Sequence, residues 1–368
     1  MKFTCEKSAL LKEIGIAQEV ISSKNALSIL SNVLLESNEG TLTLRATDLK
    51  VTFETRIPVE VTVPGSTTVF CDKFLGILRT LPEGDIEFEE KESGMFFIRP
   101  VFKKIDFRLK TIASDKFPEL PDTADETYFS FPQKEFKDMI EQTIFSVSDD
   151  ETRYYMNGVC LEKNEDRLVM VATDGRRLSL ISKEASDPIP DFKQVIVPPK
   201  ALNLFQRLAS GEGLVSLSIS DKNAFLRFDN QKLSTALIEG TFPNYQRVIP
   251  VGQKYTIKIE IAEFLEAIKR VSQLVEQKSK RIYLEVSENS LVLSSEESDL
   301  GIAKEELACE YQGPETVIAL NYLYLLEPLR VMKGNEVVIE YTEPNRALTV
   351  RPAEINDYFH IVMPMQIE

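Results

Sequence analysis

The chain repeats one pattern of predicted elements three times, and this repeat constrains the fold more than any other feature. Each copy opens with a short strand, an amphipathic helix and an alternating strand, and then adds a second strand–helix pair and further strands. Corresponding positions recur with a period of about 123 residues along the 368-residue chain. Examples are Leu42, Leu168 and Leu291 in the alternating strands, and the proline-containing pairs at 117–118, 242–243 and 363–364. We therefore predict an α+β fold with three copies of one domain, each with two helices packed on antiparallel sheets.

The first helix of each copy shows apolar residues at helical spacing. The three helices are predicted over residues 8–21, 133–147 and 261–275. Positions three or four apart share one face of a helix, so each helix has one side to bury. The predicted buried positions are Leu10, Ile14, Ala17 and Ile21 in the first helix, Phe136, Ile140, Ile144 and Val147 in the second, and Phe264, Ile268, Val271 and Val275 in the third.

An alternating strand follows each of these helices, over residues 41–47, 167–173 and 290–294. A period of two predicts one buried and one exposed face for each strand. Second helices are predicted at 73–81, 199–209 and 321–333, each after a short strand. Pro199 suits a first helical position, whereas Pro328 is predicted to kink the last helix.

Two segments that contain proline separate the copies. Residues 119–126 and 250–253 interrupt regular structure, which is typical of domain boundaries. The predicted domains are residues 1–126, 127–252 and 253–368. Repetition alone does not identify a function, since unrelated proteins are also built as tandem arrays.

The charge distribution bears on possible partners. The formal net charge is −15, whereas nucleic-acid-binding proteins usually carry a basic surface. The three second helices with their leading residues run against this trend, with six basic and two acidic residues. A ring with basic helices inside and acidic sheets outside reconciles the two observations, and ordinary solvated helices are the alternative. The basic residues are Lys73, Arg79, Lys200, Arg207, Arg330 and Lys333.

Few residues point to catalysis or to a metal site. The one histidine, His360, lies in a strand-like segment, and a single histidine makes neither a catalytic triad nor a zinc site. The cysteines Cys5, Cys71, Cys160 and Cys309 are far apart in sequence and are predicted to be buried hydrophobic side chains. No GxxxxGK[ST] phosphate loop occurs. We predict no catalytic residue, metal or cofactor.

No apolar run approaches the length of a membrane helix, and the first residues lack the pattern of a signal peptide. The chain is therefore expected to have no membrane partner and to be cytoplasmic.

Several runs resemble the bacterial DNA sliding clamps, the beta subunits of the replicative DNA polymerase III holoenzyme. These runs are MKFT at 1–4, ATD at 46–48, RYYMNG at 153–158, VATDGRRL at 171–178, FPNYQRVIP at 242–250 and VMPM at 362–365. They follow one another in order along the whole chain. The resemblance implies a DNA polymerase processivity factor that is not an enzyme. It also implies a head-to-tail homodimer, forming a six-domain ring around double-stranded DNA of any sequence.

The resemblance further implies partners and site residues. The implied partners are the catalytic subunit of the replicative polymerase, an ATP-driven clamp loader complex, and other clamp-binding repair and replication proteins. DNA contacts are expected at Lys24, Arg153, Tyr154, Tyr155 and Lys200, to which the charge pattern adds Arg207. A core role for one of the two tyrosines fits the sequence equally well.

A hydrophobic cleft that binds partner peptides is implied between the second and third domains. Its apolar side chains suit short extended peptides with apolar anchors, and Gly175 lets a peptide approach the backbone. The matching positions are Met156, Thr173, Gly175, Arg177, Leu178, Pro243, Arg247, Val248, Tyr324, Ile361, Met363, Pro364 and Met365.

The dimer interface is implied to bring Lys73, Phe107 and Leu109 against the partner's Leu274. An alternating core strand is an alternative role for Phe107 and Leu109. The chain departs from well-known relatives at Arg176, where they carry histidine, and in its tail at Gln366 and Glu368.

Two other classes of function are weighed against the clamp. An enzyme would need a catalytic constellation that the residue pattern does not supply. A peptide-binding scaffold without a DNA role would share the repeat and the cleft, and would lack an inward basic surface and ring closure.

Overall fold

The computed structural model describes residues 1–21, 28–91, 94–121, 126–185, 187–299 and 301–367. The first part of the chain contains β1 (Lys2–Glu6), α1 (Lys7–Val20), β2 (Asn32–Asn38), β3 (Thr41–Thr47), β4 (Val51–Pro58), β5 (Glu60–Val63), β6 (Gly65–Phe70), α2 (Cys71–Thr80), β7 (Asp85–Lys91), β8 (Met95–Pro100) and β9 (Phe107–Ile112).

The middle part contains β10 (Phe129–Pro132), α3 (Gln133–Glu141), β11 (Val159–Asn164), β12 (Arg167–Thr173), β13 (Arg177–Glu184), β14 (Val195–Val197), α4 (Pro199–Leu208), β15 (Leu214–Ile219), β16 (Asn223–Phe228) and β17 (Gln231–Ala236).

The last part contains β18 (Tyr255–Glu260), α5 (Ile261–Val271), β19 (Arg281–Ser287), β20 (Ser290–Ser295), β21 (Lys304–Ala308), β22 (Glu310–Tyr311), β23 (Thr316–Asn321), α6 (Leu323–Val331), β24 (Glu336–Tyr341), β25 (Leu348–Pro352) and β26 (Tyr358–Val362).

The chain forms two compact units. Unit 1 comprises Met1–Gln133 and Lys200–Leu237, and unit 2 comprises Lys134–Pro199 and Ile238–Glu368. Unit 1 holds a 13-stranded sheet in the order β10-β15-β16-β17-β4-β3-β2-β6-β9-β8-β7-β1-β5. Unit 2 holds a nine-stranded sheet, β14-β11-β12-β13-β26-β25-β24-β18-β22, and a four-stranded sheet, β21-β20-β19-β23. Strands of the middle repeat thus belong to both units, because β17 pairs with β4 and β13 pairs with β26.

The predicted helices are present, and their faces are buried largely as the spacing predicts. Leu10, Ile14 and Ala17 of α1, and Phe264 and Ile268 of α5, are fully buried. The packed apolar face supplies most of the stability of such short helices, since their hydrogen bonds alone are marginal in water.

Two first helices end earlier than predicted, and hydroxyl side chains explain the difference. The helix predicted to reach residue 147 ends at Glu141, where the Thr143 hydroxyl donates to the Met139 carbonyl at 2.8 Å. The helix predicted to reach residue 275 ends at Val271, and the Ser272 hydroxyl donates to a carbonyl of the last turn. Such bonds compete with the backbone hydrogen bonds of the helix, and after each of the two helices the chain continues in a short 3-10 turn. Ile144 and Val147 are consequently only half-buried.

The second helices begin and end close to the predicted positions. Pro199 is the first residue of α4, as predicted. The helix predicted over 321–333 is shorter and runs from Leu323 to Val331. Just before it, the Asn321 side chain accepts a hydrogen bond from the Leu323 N–H at 3.0 Å, a local bond that favours a turn there. Pro328 lies inside α6, and the kink predicted there stays a prediction.

The prediction of one exposed face holds for β3 and is wrong for β12. In β3, buried Leu42, Leu44 and Ala46 alternate with partly exposed residues. In β12, every residue from Leu168 to Thr173 is buried. This strand lies between β11 and β13 and is covered on both faces, so alternation in its sequence does not mark a solvent face.

The cysteines are free and buried, as predicted, and burial raises their pKa values, to about 11 for Cys5 and about 12 for Cys71. In the described part of the chain, no helix is both long and apolar enough to cross a membrane.

Candidate functional site

The turn between β12 and β13 is held together by its own side chains. The Thr173 hydroxyl accepts a hydrogen bond from the Gly175 N–H at 3.0 Å and donates one to the Arg177 carbonyl at 2.6 Å. Asp174 Oδ1 accepts hydrogen bonds from the N–H groups of Arg176 and Arg177. Gly175 has a φ of +88°, and an added Cβ would lie 2.9 Å from a guanidinium nitrogen. The turn therefore needs glycine and leaves the backbone bare on one side.

Arg177 connects the turn to other parts of unit 2. Its guanidinium pairs with the Asp174 carboxylate at 3.1 Å and with the Glu327 carboxylate. It also lies 4.8 Å from the ring centre of Tyr324 and 5.7 Å from that of Phe145. Burial raises the pKa of the Tyr324 hydroxyl, so the ring stays neutral beside the cation.

The pairing of β13 with β26 brings the end of the chain to this turn. Leu178 pairs with Ile361 across the two strands. Past β26, the Met363 N–H donates to the Arg176 carbonyl at 2.9 Å, and the Met365 N–H donates to a carbonyl of β23 at 2.7 Å. The tail is thus tethered on both sides, and its methionines lie beside the turn.

A buried apolar cluster lies beneath the turn and the tail. The Tyr245 hydroxyl donates to the Glu162 carboxylate at the edge of this cluster, and burial together with that bond raises the pKa of Tyr245. The phenol therefore remains a protonated donor. The cluster consists of Cys160, Val169, Val171, Leu178, Ile196, Phe242, Tyr245 and Ile361.

A mainly apolar cavity of about 140 Å³ opens above this cluster. Val248 is 53% exposed and Met363 is 44% exposed at its mouth, so apolar surface is open to a ligand there. The structure brings together these residues of the predicted cleft: Met156, Thr173, Gly175, Arg177, Leu178, Pro243, Val248, Ile361 and Met363. Arg176, the position that departs from relatives, also lines the cavity, together with Asn244 and Tyr245. The predicted cleft residues do not include Asn244 and Tyr245, although both lie within the run at 242–250.

A second cavity, of about 620 Å³, adjoins the first and shares Arg176 and Met363 with it. It takes in three further predicted cleft residues, Tyr324, Pro364 and Met365. Predicted Arg247 lines neither cavity and is exposed in the 3-10 turn Tyr245–Val248. The remaining residues around the second cavity were not predicted and are Lys278, Ser279, Lys280, Arg281, Asn321 and Gln366.

The predicted DNA-contacting residues of the middle segment lie in the 3-10 segment Glu151–Met156. Arg153 pairs with Asp150 at 2.9 Å. Tyr154 is 52% exposed, whereas Tyr155 packs against the buried cluster. The sequence left open whether one tyrosine serves the core, and Tyr155 is the one with core contacts.

The predicted DNA-contacting residues of α4 are ion-paired within unit 1. Lys200 pairs with Asp48 at 2.6 Å and donates to the Val20 carbonyl at 2.7 Å. Arg207 pairs with Glu19. Their positive charges are thus partly offset by acidic neighbours. Lys24 lies outside the described residues.

The residues predicted for the dimer interface in unit 1 lie on α2 and β9. Lys73 is exposed on α2, and Phe107 and Leu109 are half-buried on one face of β9. β8 pairs with β9 from Phe107 to Lys110, whereas β6 pairs only with Thr111 and Ile112 in the described residues. The stretch that carries Phe107 and Leu109 therefore has one unpaired edge.

Leu274, the predicted partner position, belongs to unit 2. It ends the 3-10 turn Ser272–Leu274 after α5 and is half-buried. α5 packs against β21, which is an outer strand of the four-stranded sheet. An unpaired strand edge is a surface on which another chain can add a strand.

His360 is packed in β26, as predicted. Its Nδ1 shares a hydrogen bond with the Ser179 hydroxyl at 2.8 Å, and Ser179 bonds to Ser146 at 2.6 Å. Burial and the nearby Arg177 guanidinium lower the pKa of the His360 imidazole to about 3. The ring is 2% exposed and neutral, so it cannot meet a substrate as a general base.

Three domain models of the DNA polymerase III beta subunit match the chain in order. The N-terminal domain matches residues 1–121, the central domain 130–244 and the C-terminal domain 246–366. The chain is 46% identical to the beta sliding clamp of Treponema pallidum, over the full length of both chains.

Solved structures of sliding clamps share the fold. The DNA polymerase sliding clamp of Bacillus subtilis matches the full length of this chain with a TM-score of 0.96 at 26% identity. A sliding clamp from Pseudomonas aeruginosa bound to griselimycin matches over the full length of both chains with a TM-score of 0.94 at 31% identity.

Proposed function

The chain belongs to the DNA polymerase III beta subunit family, the bacterial sliding clamps, and we propose which of its residues hold partners, close the ring and meet DNA. As a member of that family it is a non-catalytic processivity factor that tethers the replicative polymerase to double-stranded DNA. The predicted domains 1–126, 127–252 and 253–368 are proposed as the three repeating segments.

The apolar cavity beside Gly175 is proposed to receive a short peptide of the polymerase. The observation that carries this assignment is an open apolar cavity above a buried apolar cluster, with exposed Val248 and Met363 at its mouth. Burial of a leucine or phenylalanine side chain contributes about 1.5–3 kcal/mol. Methionine adapts to different anchors, so one cavity suits several partners. Tyr324, Pro364 and Met365 extend the proposed contact, and Arg247 is proposed to touch the peptide from outside.

Ring closure is proposed to use two strand edges of a head-to-tail homodimer. The unpaired stretch of β9 that carries Phe107 and Leu109 would meet the partner's Leu274, and Lys73 would flank the contact. Half-buried apolar side chains beside an open edge support this assignment, because pairing them removes both apolar surface and free backbone groups from water.

DNA contact is proposed at Lys24, Arg153, Tyr154, Tyr155, Lys200 and Arg207. Paired cations support weak contact: a cation that keeps an acidic neighbour attracts phosphate less strongly than a bare one. Weak attraction to DNA of any base sequence suits a ring that must slide along it.

Other clamp-binding repair and replication proteins are proposed to share the cavity. A clamp loader complex that hydrolyses ATP is proposed to open the ring. These partners would place the chain in the cytoplasm with the DNA.

The clamp function predicts topological linkage to DNA. The clamp would be loaded onto nicked circular DNA by its loader with ATP, washed in high salt, and followed as the circle is cut. Retention on the circle and release after cutting are expected, because a closed ring slides off free ends. Retention on the linear product would indicate ordinary binding. Failure to load, with a loader proven active on another clamp, would favour a peptide-binding scaffold without a DNA role.

A further inference from the structure

Among the described residues, the charged side chains that line the second cavity are all cations. Its charged lining residues are Arg176, Lys278, Lys280 and Arg281, which we call the basic rim. A cluster of this kind is notable in a chain with a net charge of −15. The local field at the rim therefore opposes the field of the molecule as a whole.

Among the described residues, one of the four rim cations has an acidic partner. Arg281 pairs with Glu296 at 3.7 Å. Within the described ranges, Arg176, Lys278 and Lys280 make no ion pair, and Arg176 instead lies beside the Tyr324 hydroxyl. Three cations are thus available to an anionic ligand.

The loop that carries the rim is anchored to the fold. The Lys280 N–H donates to the Glu276 carbonyl at 2.8 Å, and the Lys280 carbonyl accepts from the Tyr322 N–H at 2.9 Å. Lys280 adopts a φ of +54°, a conformation that a residue other than glycine keeps only where its surroundings hold it. The backbone at Lys280 is therefore held in place before a ligand binds, which lowers the entropic cost of binding.

The rim is continuous with the apolar cavity. Arg176 and Met363 line both cavities, and a backbone hydrogen bond of 2.9 Å joins these two residues. A peptide anchored in the apolar cavity would pass the rim with its neighbouring residues.

We propose that the basic rim selects partner peptides that carry one or two carboxylates beside their apolar anchors. This inference rests on the proposed peptide-binding function of the apolar cavity. DNA phosphate is the other anion that the rim could attract. A peptide fits better, because the rim shares its lining with an apolar cavity that a phosphate backbone has no group to fill.

The test uses three fluorescent synthetic peptides with identical leucine and phenylalanine anchors. Their two flanking residues are Asp-Asp, Ser-Ser or Lys-Lys. Affinities for the full-length chain would be measured by fluorescence anisotropy from 0.05 to 0.5 M salt. In low salt, the Asp-Asp peptide should bind about three- to tenfold more tightly than the Ser-Ser peptide, and the Lys-Lys peptide more weakly. The preference should shrink as salt rises.

Two charge-reversal variants make the test specific. K278E/K280E should abolish or invert the preference, measured as the ratio of the affinities for the Asp-Asp and Ser-Ser peptides. K103E/K104E makes the same change in net charge at two exposed lysines of unit 1 and should keep the preference.

The possible outcomes distinguish peptide selection by the basic rim from peptide binding in the apolar cavity. Equal affinities for the Asp-Asp and Ser-Ser peptides would contradict the selection proposed for the basic rim and would leave the proposed peptide binding in the apolar cavity unaffected. Binding of none of the three would count against both. If K278E/K280E reduced loading on nicked circular DNA and left the peptide preference intact, the rim would be a DNA contact.

Discussion

Arg177 illustrates how a largely buried residue can hold a site together. Its guanidinium joins Asp174 and Glu327 and lies against the rings of Phe145 and Tyr324. Its side chain is 12% exposed. Arg177 therefore shapes the wall of the cavity, whereas its neighbour Arg176 is the exposed cation at the junction of both cavities.

At the residue scale, His360 predicts a pH dependence of stability. Its pKa is near 6.5 in an unfolded chain and is lowered to about 3 in the fold. Below pH 6.5 the unfolded chain binds a proton that the folded chain does not, so stability falls as the pH falls from about 6.5 towards 3. Between pH 7 and pH 5 this amounts to about 2 kcal/mol.

Urea unfolding of wild type and His360→Gln at pH 7 and pH 5 measures this effect. The glutamine variant should lose about 2 kcal/mol less than wild type over that interval. The comparison isolates the imidazole, because the chain has one histidine and all carboxylates are common to both proteins. Equal losses would mean that His360 is not held neutral by burial.

At the scale of elements, local pattern determined which segments are helical and tertiary surroundings determined where they end. The Thr143 and Ser272 hydroxyls each bond to a carbonyl of the preceding turn, and both helices stop there. The alternation prediction was wrong for β12, since this strand is covered on both faces and buries every residue from Leu168 to Thr173. The unpaired stretch of β9 is likewise a property of the sheet and cannot be seen in its own sequence.

The edge of β9 predicts the effect of a buried charge on assembly. Leu109→Asp should raise the dissociation constant of the homodimer by at least about thirtyfold, because burying a carboxylate in an apolar contact costs about 2 kcal/mol or more of association free energy. Sedimentation velocity over a dilution series measures the change. Val63→Asp is the matched control: Val63 is 46% exposed on β5, the outer strand at one end of the same sheet, and should leave dimerisation unchanged. A Leu109→Asp variant that dimerises like wild type would remove β9 from the interface.

At the scale of the whole molecule, three repeats build two compact units, because sheets join strands of different repeats. Charge is also arranged at this scale. The chain is acidic overall, and the two cations of α4 are paired with Asp48 and Glu19. Attraction to DNA then depends on the total field around a ring, to which each cation contributes.

That arrangement predicts the effect of reversing the two α4 cations. K200E/R207E should reduce the fraction of nicked circles that carry a clamp several-fold near 0.1 M salt, since acidic residues would then face one another and DNA phosphate. The control R56E/K222E makes the same change in net charge at exposed positions of unit 1 and should load normally. Circular dichroism checks that both variants fold. Equal loading of the two variants would show that α4 does not face DNA.

The sequence by itself determined the threefold repeat, the helices and their buried faces, and most residues around the apolar cavity. These features depend on local periodicity, or on short runs such as those at 171–178 and 242–250, so a linear pattern contains them. Only the tertiary structure decided which strands pair, and hence that β26 brings Met363 to the turn at Gly175. It alone placed Lys278 and Lys280 beside that cavity and left one stretch of β9 unpaired. Pairing between distant strands depends on the packing of the whole sheet, and no single segment carries that information.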